Sequence, residues 1–305
     1  MKTIIAMALS AASGLCLSAS AFAQSATDIP GVVKAGVTPE LVSEIFLNTE
    51  GPLGMPDGSL IFSDTNASIT YRLDGAGKIW TERFGTNRGN GIALTRRGEM
   101  IWAEEPRITA RDSNGGFRNL VAGTRLFQPN DLIADDRGGI YFTDPGPRPI
   151  VKGLKVNVYY LPPGTTKPIV VDDSVPRPNG VILSIDGRTL YVANTIGDTV
   201  FAYNVQADGK LTNRRNFAKL RDIPAGQEGF GDGMAIDRDD RLYVTTLVGV
   251  QIFDVKGAYL GNIKVPRQPS NVAFAGADQR ILYITARQGI YRIALQSQGP
   301  ARFGK

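Results

Sequence analysis

Six dipeptides place an oxygen-bearing side chain at one recurring position: Glu50-Gly51, Asn90-Gly91, Asn130-Asp131, Asn179-Gly180, Asp232-Gly233 and Ser270-Asn271. Counted on Glu50, Asn90, Asn130, Asn179, Asp232 and Asn271, the spacings are 40, 40, 49, 53 and 39 residues. Two carboxylates and several amide carbonyls, with no nitrogen or sulfur donor among them, suit a hard divalent cation such as Ca²⁺. The rest of the composition narrows the chemistry further. The chain has no histidine, which removes Ser-His-Asp triads, Cys-His dyads and His-ligated zinc or iron. Its single cysteine, Cys16, lies in the N-terminal apolar segment, so no disulfide or thiolate site is expected in the folded part. Catalysis must rest on carboxylates, amides, Lys, Tyr or a bound cation.

Asn-Gly and Asp-Gly are also the strongest short hairpin signals, so any one pair taken alone reads as a turn. The slot separates the readings. Other Asp-Gly pairs, Asp57-Gly58 and Asp186-Gly187, hold a second, hairpin position in the same repeat, whereas Glu50-Gly51-Pro52 makes a poor hairpin turn and still falls in the first slot. Asn90 and Asn271 are the two heads that fit a purely structural role best.

The elements that must position these side chains are short strands. β-branched and aromatic runs alternate with turns throughout: SLIFSDT (59–65), EMIWAEE (99–105), GIYFTDP (139–145), TLYVANT (189–195), RLYVTTL (241–247) and ILYITAR (281–287). The 35 Gly and 18 Pro supply the turns between them. Six units of roughly forty residues, each long enough for about four strands, predict an all-β, six-bladed β-propeller. The first strand of a blade lines the central channel, so the six heads meet at one channel opening and form a central-channel metal site. ELVSEIFL (40–47) is expected to add the strand that closes the last blade. The insertions PGPRPIVKGLK (145–155) and VQADGKLTNRRN (205–216) are expected to decorate one face and shape a cavity mouth. Tyr141, Tyr191, Tyr243 and Tyr283 read as core, and Asp64, Glu104 and Asp144 as carboxylates returning to the heads' face, where they are solvated or bond to neighbouring backbone, or else support the cation or form a second cation site.

At the N-terminus, Lys2, an apolar run and Ala21-Phe22-Ala23 before Gln24 read as a cleaved secretory signal over 1–23. The expected organisation is therefore a leader (1–23), an N-terminal extension (24–39), the propeller (40–300) and a short tail (301–305), secreted, most simply to a bacterial periplasm. Against 29 Asp+Glu stand 34 Lys+Arg, one of them in the leader, so the mature charge is about +4 and scattered. No basic run tracks nucleic acid, and no stop-transfer flank marks a membrane anchor.

The motifs EGP (50–52), PNDLIADDRGGIYFTDP (129–145), PNGVILSIDGRTLYVANT (178–195), DGMAIDRDDRLYV (232–244) and NVAFAGADQRILYITA (271–286) resemble, in order and over nearly the whole chain, the gluconolactonase family, also named for senescence marker protein and luciferin-regenerating enzyme. The resemblance implies metal-dependent hydrolysis of a small lactone or ester. By position, Glu50, Asn179 and Asp232 match the family's metal ligands, and Asn130 matches an Asn that binds metal or substrate. Ca²⁺ is the usual cation there, with Zn²⁺, Mg²⁺ or Mn²⁺ in some members. Gln128 stands where sugar lactonases often carry an Arg, and AEEPRIT (103–109) lacks a His that many members have. These departures bear on sugar-acid lactones as substrates and leave the metal ligands intact. With no histidine, Asp232 is the candidate base or water-orienting group; Gln128, Arg88 and Arg107 are candidates for the substrate rim. Two other readings use the same site: a phosphotriesterase, and a binding propeller with a structural cation.

Overall fold

The computed structural model describes residues 28–112, 114–147, 149 and 151–300. The expected leader (1–23), the first residues of the N-terminal extension and the tail (301–305) lie outside the described residues. The described residues form 24 strands and no helix, arranged as six four-stranded antiparallel sheets. This is a six-bladed β-propeller. No helix among the described residues is long and apolar enough to cross a membrane.

Five of the six blades run outward from the channel in sequence order. The innermost strands are Thr49–Gly54, Ile92–Leu94, Leu132–Ala134, Pro178–Leu183, Met234–Ile236 and Asn271–Ala275. The second strands, such as Leu60–Asp64 and Ile140–Asp144, are buried at every position because neighbouring blades cover both faces. Outer strands, such as Ile79–Phe84, are only half buried. The sixth blade has the order Glu40–Ser43, Gly289–Ala294, Ile281–Ala286, Asn271–Ala275. The strand expected from ELVSEIFL thus pairs with the C-terminal one, Glu40 opposite Arg292 and Leu41 opposite Tyr291, and shuts the ring. Closure joins the two ends of the chain and removes an open edge.

Apolar side chains pack between adjacent sheets. Tyr141, Tyr191, Tyr243 and Tyr283 are buried there, as their alternation requires. Part of the N-terminal extension belongs to the same core: Ile29, Val32 and Val33 are fully covered and pack with Ile252, Ile263 and Leu295.

Hydroxyls on second strands tie the blades together around the channel. Ser63 Oγ donates to the Asn90 carbonyl (2.7 Å), Thr143 Oγ1 to that of Asn179 (2.6 Å), and Thr245 Oγ1 to that of Ser270 (2.9 Å). The glycine after a head exists for this approach. A Cβ on Gly51 would lie 2.0 Å from the Asn90 carbonyl oxygen, and one on Gly180 would lie 2.2 Å from that of Asp232. In the heads, glycine makes room for the next blade rather than turning a hairpin.

Candidate active site

The channel opening at the heads' end is a cavity of about 530 Å³. Asn130, Asn179 and Asp232 stand on its wall. Glu50 is buried, and burial pushes its carboxyl well above the usual carboxylate range. The charges of Asp232 and Asp131 push it up further, while the Gly51 N–H and the Arg287 charge pull the other way. Carboxylates forced together in a buried place are what a bound cation relieves.

The amides support the same assignment. Asn179 Nδ2 donates to Thr195 Oγ1 (3.0 Å), which fixes the orientation of the amide. Its Oδ1 is buried and has no hydrogen-bond partner among the described residues. Asn90 Oδ1 is in the same condition. An acceptor buried without a donor costs on the order of 1–3 kcal/mol, and a cation would satisfy it. Asn271 differs: its Oδ1 accepts the N–H of Val272 (2.9 Å) and its side chain fills the space over Gly233. Carboxylates alone do not make the site. Among the described residues no three His, Cys, Asp or Glu side chains converge in metal-holding geometry, so the amide oxygens must complete any donor set. Glu50, Asn179 and Asp232, oxygen donors only, fit a hard cation.

Around this floor runs a rim with its own periodicity. Arg88, Gln128, Arg177 and Phe230 all line the cavity, and each lies two residues before a head. The four thus occupy one slot of the repeat, around the opening that Asn130, Asn179 and Asp232 also line, with Arg88 and Phe230 turned there by left-handed backbone (φ 56° and 49°). The sequence analysis used this slot only in the third blade; applied to every blade it would have found Arg177 and Phe230. Arg287, between the last two strands of blade six, also lines the cavity. Arg107 is not among the lining residues: its Nε donates to Glu104 (2.8 Å), which also meets Arg83 (2.6 Å) and accepts from Thr109.

Second-strand carboxylates hold the rim in place. Asp144 accepts the N–H groups of Phe127 and Gln128, both at 2.8 Å, and burial outweighs these bonds to push its carboxyl up. Asn194 Oδ1 does the equivalent for the Arg177 N–H (3.0 Å), and Asp64 for Leu47 and Asn48. Glu105 receives Arg88 Nε (3.0 Å) and the Gln128 amide. The insertion expected at a mouth supplies Pro145 and Pro147 to this one; the other supplies Val205, Gln206 and Ala207 to the opposite end of the molecule.

Residues 48–288 match the family model described as an SMP-30/Gluconolactonase/LRE-like region. A gluconolactonase of Zymomonas mobilis subsp. mobilis is 28% identical over 294 residues, covering 85% of this chain and 82% of the relative. A protein named lactonase drp35, from Staphylococcus saprophyticus subsp. saprophyticus, is 35% identical over 239 residues, 74% and 72% of the two chains. The solved structure of a gluconolactonase from Xanthomonas campestris superposes with a TM-score of 0.75 at 30% identity, covering 85% of this chain and 90% of that one. The family model spans most of the chain and the propeller superposes on a solved gluconolactonase, so the chain belongs to the SMP-30/Gluconolactonase/LRE-like family.

Proposed function

We propose that the protein is a metal-dependent lactone hydrolase whose cation, Ca²⁺ by the chemistry of the donors, is held by Glu50, Asn179 and Asp232. The observation that carries this is the coexistence, at one channel mouth, of a Glu50 carboxylate destabilised by burial and by the charges of Asp232 and Asp131, and an Asn179 Oδ1 buried without a donor among the described residues. The lactonase names of its relatives supply the reaction class.

A cation held there supplies Lewis-acid polarisation of an ester carbonyl and charge to oppose the oxyanion that forms. Asn130, on the same wall, orients the substrate. Asp232 orients the attacking water and takes its proton on the carboxylate. A carboxylate beside a dication is a weak base, which limits how much of the rate Asp232 supplies by proton transfer alone. Phe127 and Phe230 present apolar faces to the cavity and limit water beside the ring. Because residues 1–23 read as a cleaved secretory signal, we propose that this chemistry takes place outside the cytoplasm.

The test is acid release in weak buffer by the chelator-stripped protein, offered aldono-, γ- and aromatic lactones as Ca²⁺ is added back. Release that appears with Ca²⁺ supports the reading. No release from any lactone, despite a Ca²⁺-dependent rise in melting temperature, would leave a cation-binding propeller and shift the search to phosphotriesters.

A further inference from the structure

We propose that the heads' face docks on an anionic lipid surface, with Ile45, Leu47 and Phe84 entering the lipid and arginines beside the cavity mouth meeting its headgroups. These three are the most exposed large apolar side chains among the described residues, at 80%, 58% and 72%. Apolar side chains exposed singly are ordinary, but these gather in one sector. Ile45 and Leu47 flank Phe46, which is buried against Phe62 and Tyr71, so the chain alternates outward, inward, outward. Phe46 fixes that connection, and the fold asks nothing apolar of the two outward positions. The Leu47 N–H is held by Asp64 (2.8 Å), Asp64 lies opposite Ile69, and Ile69 lies opposite Phe84. Two strand spacings, about 10 Å, therefore separate the Leu47 and Phe84 backbones at one end of the first blade.

The sector adjoins the cavity along two stretches of chain. The Phe46 N–H donates to the Gln288 carbonyl (3.3 Å) and the Thr49 N–H to the carbonyl of Arg287 (2.6 Å), a residue of the cavity wall. Phe84 leads within four residues to Arg88, on the same wall. The charge around the sector is positive. Glu44 and Glu105 are each taken up by an arginine, Arg267 (2.6 Å) and Arg88 (3.0 Å), and Arg287 adds a third guanidinium, bonded to the Gln268 amide oxygen (2.5 Å). At the same mouth, the third-blade insertion repeats the combination with exposed Val151 and Lys152. Two arguments favour lipid over protein. Side chains this exposed protrude, and they line no groove that would seat a peptide. A second copy docked on a two-fold axis would set these arginines against their own symmetry mates, whereas anionic headgroups pair with them. On the lactonase reading above, docking brings the cavity to lactones dissolved in the lipid.

The experiment is flotation of the purified protein with vesicles of phosphatidylcholine, alone or with about one third phosphatidylglycerol, in the presence of chelator. Binding is expected to be at least about tenfold tighter to the mixed vesicles and to weaken as salt rises. Phe84→Ser and the double variant Ile45→Ser, Leu47→Ser should each lower the partition coefficient by about tenfold or more. Val255→Ser, in a turn at the opposite end and 53% exposed, should bind as the parent does. Every variant alters an exposed side chain and should melt within about 2 °C of the parent, which separates lost docking from unfolding. No binding to either vesicle, or an equal loss in Val255→Ser, would overturn the proposal. So would binding to phosphatidylglycerol that ignores the apolar substitutions, since charge alone would explain it. A dimer in sedimentation that the same substitutions dissociate, with no lipid binding, would assign the face to a second copy instead. The assay needs no turnover, so docking without hydrolysis of any lactone would keep the lipid face and sink the lactonase.

Discussion

The two ends of the channel carry similar side chains to different effect. The cavity at the hairpin end is the larger, about 790 Å³ against 530 Å³, and it too is lined by three arginines, Arg96, Arg137 and Arg188, with Asp135, Asp136 and Asp186. There the acids are satisfied locally. Asp135 Oδ1 accepts the N–H groups of Arg137 and Gly139 while its Oδ2 meets Arg137 and the Tyr160 hydroxyl. Asp186 Oδ1 accepts from Ser184 and the Arg188 N–H. These carboxylates cap turns. At the heads' end, burial and the charges of Asp232 and Asp131 push the Glu50 carboxyl up, and the Asn179 amide oxygen is buried without a donor among the described residues. Volume does not mark the site; unresolved electrostatics does.

The largest expected effect tests that contrast at its centre. Asp232→Ala should lower lactone turnover by about 10³-fold or more and abolish the Ca²⁺-dependent rise in melting temperature, since it removes both a cation ligand and the water-orienting group. Calorimetric titration with Ca²⁺ and acid-release kinetics measure the two losses separately. Retained Ca²⁺ affinity in this variant would move the cation away from the heads.

Next in size is Glu50. Its carboxyl is pushed up in the folded chain, so the folded state holds that proton more tightly than the unfolded one. Stability from this source is present in acid and is lost as pH rises past the ordinary carboxylate value and through the raised one. The chelator-stripped protein should therefore melt at lower temperature as pH rises from weakly acid to neutral, and saturating Ca²⁺ should cancel that slope by favouring the ionised form. Glu50→Gln should raise the metal-free melting temperature at neutral pH by a few degrees, flatten the slope, and lose the response to Ca²⁺. Scanning fluorimetry across pH, with and without chelator, is sufficient. A metal-free protein indifferent to pH in this range would remove the argument from carboxylate crowding.

How much of this was legible in advance follows from period. A repeat of about forty residues with four strands each fixes the sheets, and the head slot recurs at a constant place in it, so Glu50, Asn130, Asn179 and Asp232 could be read from spacing. Arg177 and Phe230 obey the same period, two residues earlier, and were legible to the same rule. Arg287 follows a second register: it closes ILYITAR where Glu105 closes EMIWAEE and Pro145 closes GIYFTDP, and all three line the cavity, so it was legible from the aligned second strands and was missed. Arg107 shows the opposite failure. Its chain position lies near the rim, but Glu104 in the second blade is paired with two arginines instead of capping a loop, and Arg107 goes with it. The glycines after the heads were read correctly as belonging to a separate slot, yet their reason, contact with the next blade, exists only once the blades are side by side.

Smaller effects are expected where carboxylates only hold the rim. Asp144→Ala removes a buried acceptor from the N–H groups of Phe127, Gln128 and Gly146, and Asp64→Ala one from those of Leu47, Asn48 and Ala67; each should cost roughly 2–4 kcal/mol of stability. Only Asp144 holds cavity residues, Phe127 and Gln128. Its loss should therefore raise KM for lactones by about tenfold at temperatures where both variants remain folded, whereas Asp64→Ala should leave KM near that of the parent. Equal effects on KM would mean that the rim is not positioned blade by blade.

The smallest expected effect is at the other mouth. Arg188 is 86% exposed at its side chain and meets Asp186 only at 3.9 Å, so screening by solvent leaves that pair little to contribute. Arg188→Gln should change stability by no more than about 0.5 kcal/mol and should leave lactone kinetics and the Ca²⁺ response as they were. An arginine whose charge solvent and a turn acid already balance is thus the counterpart of Asp232 at the other mouth. A kinetic effect of Arg188→Gln approaching that of Asp232→Ala would show that the larger cavity takes part in the reaction, and the contrast between the two mouths would fail.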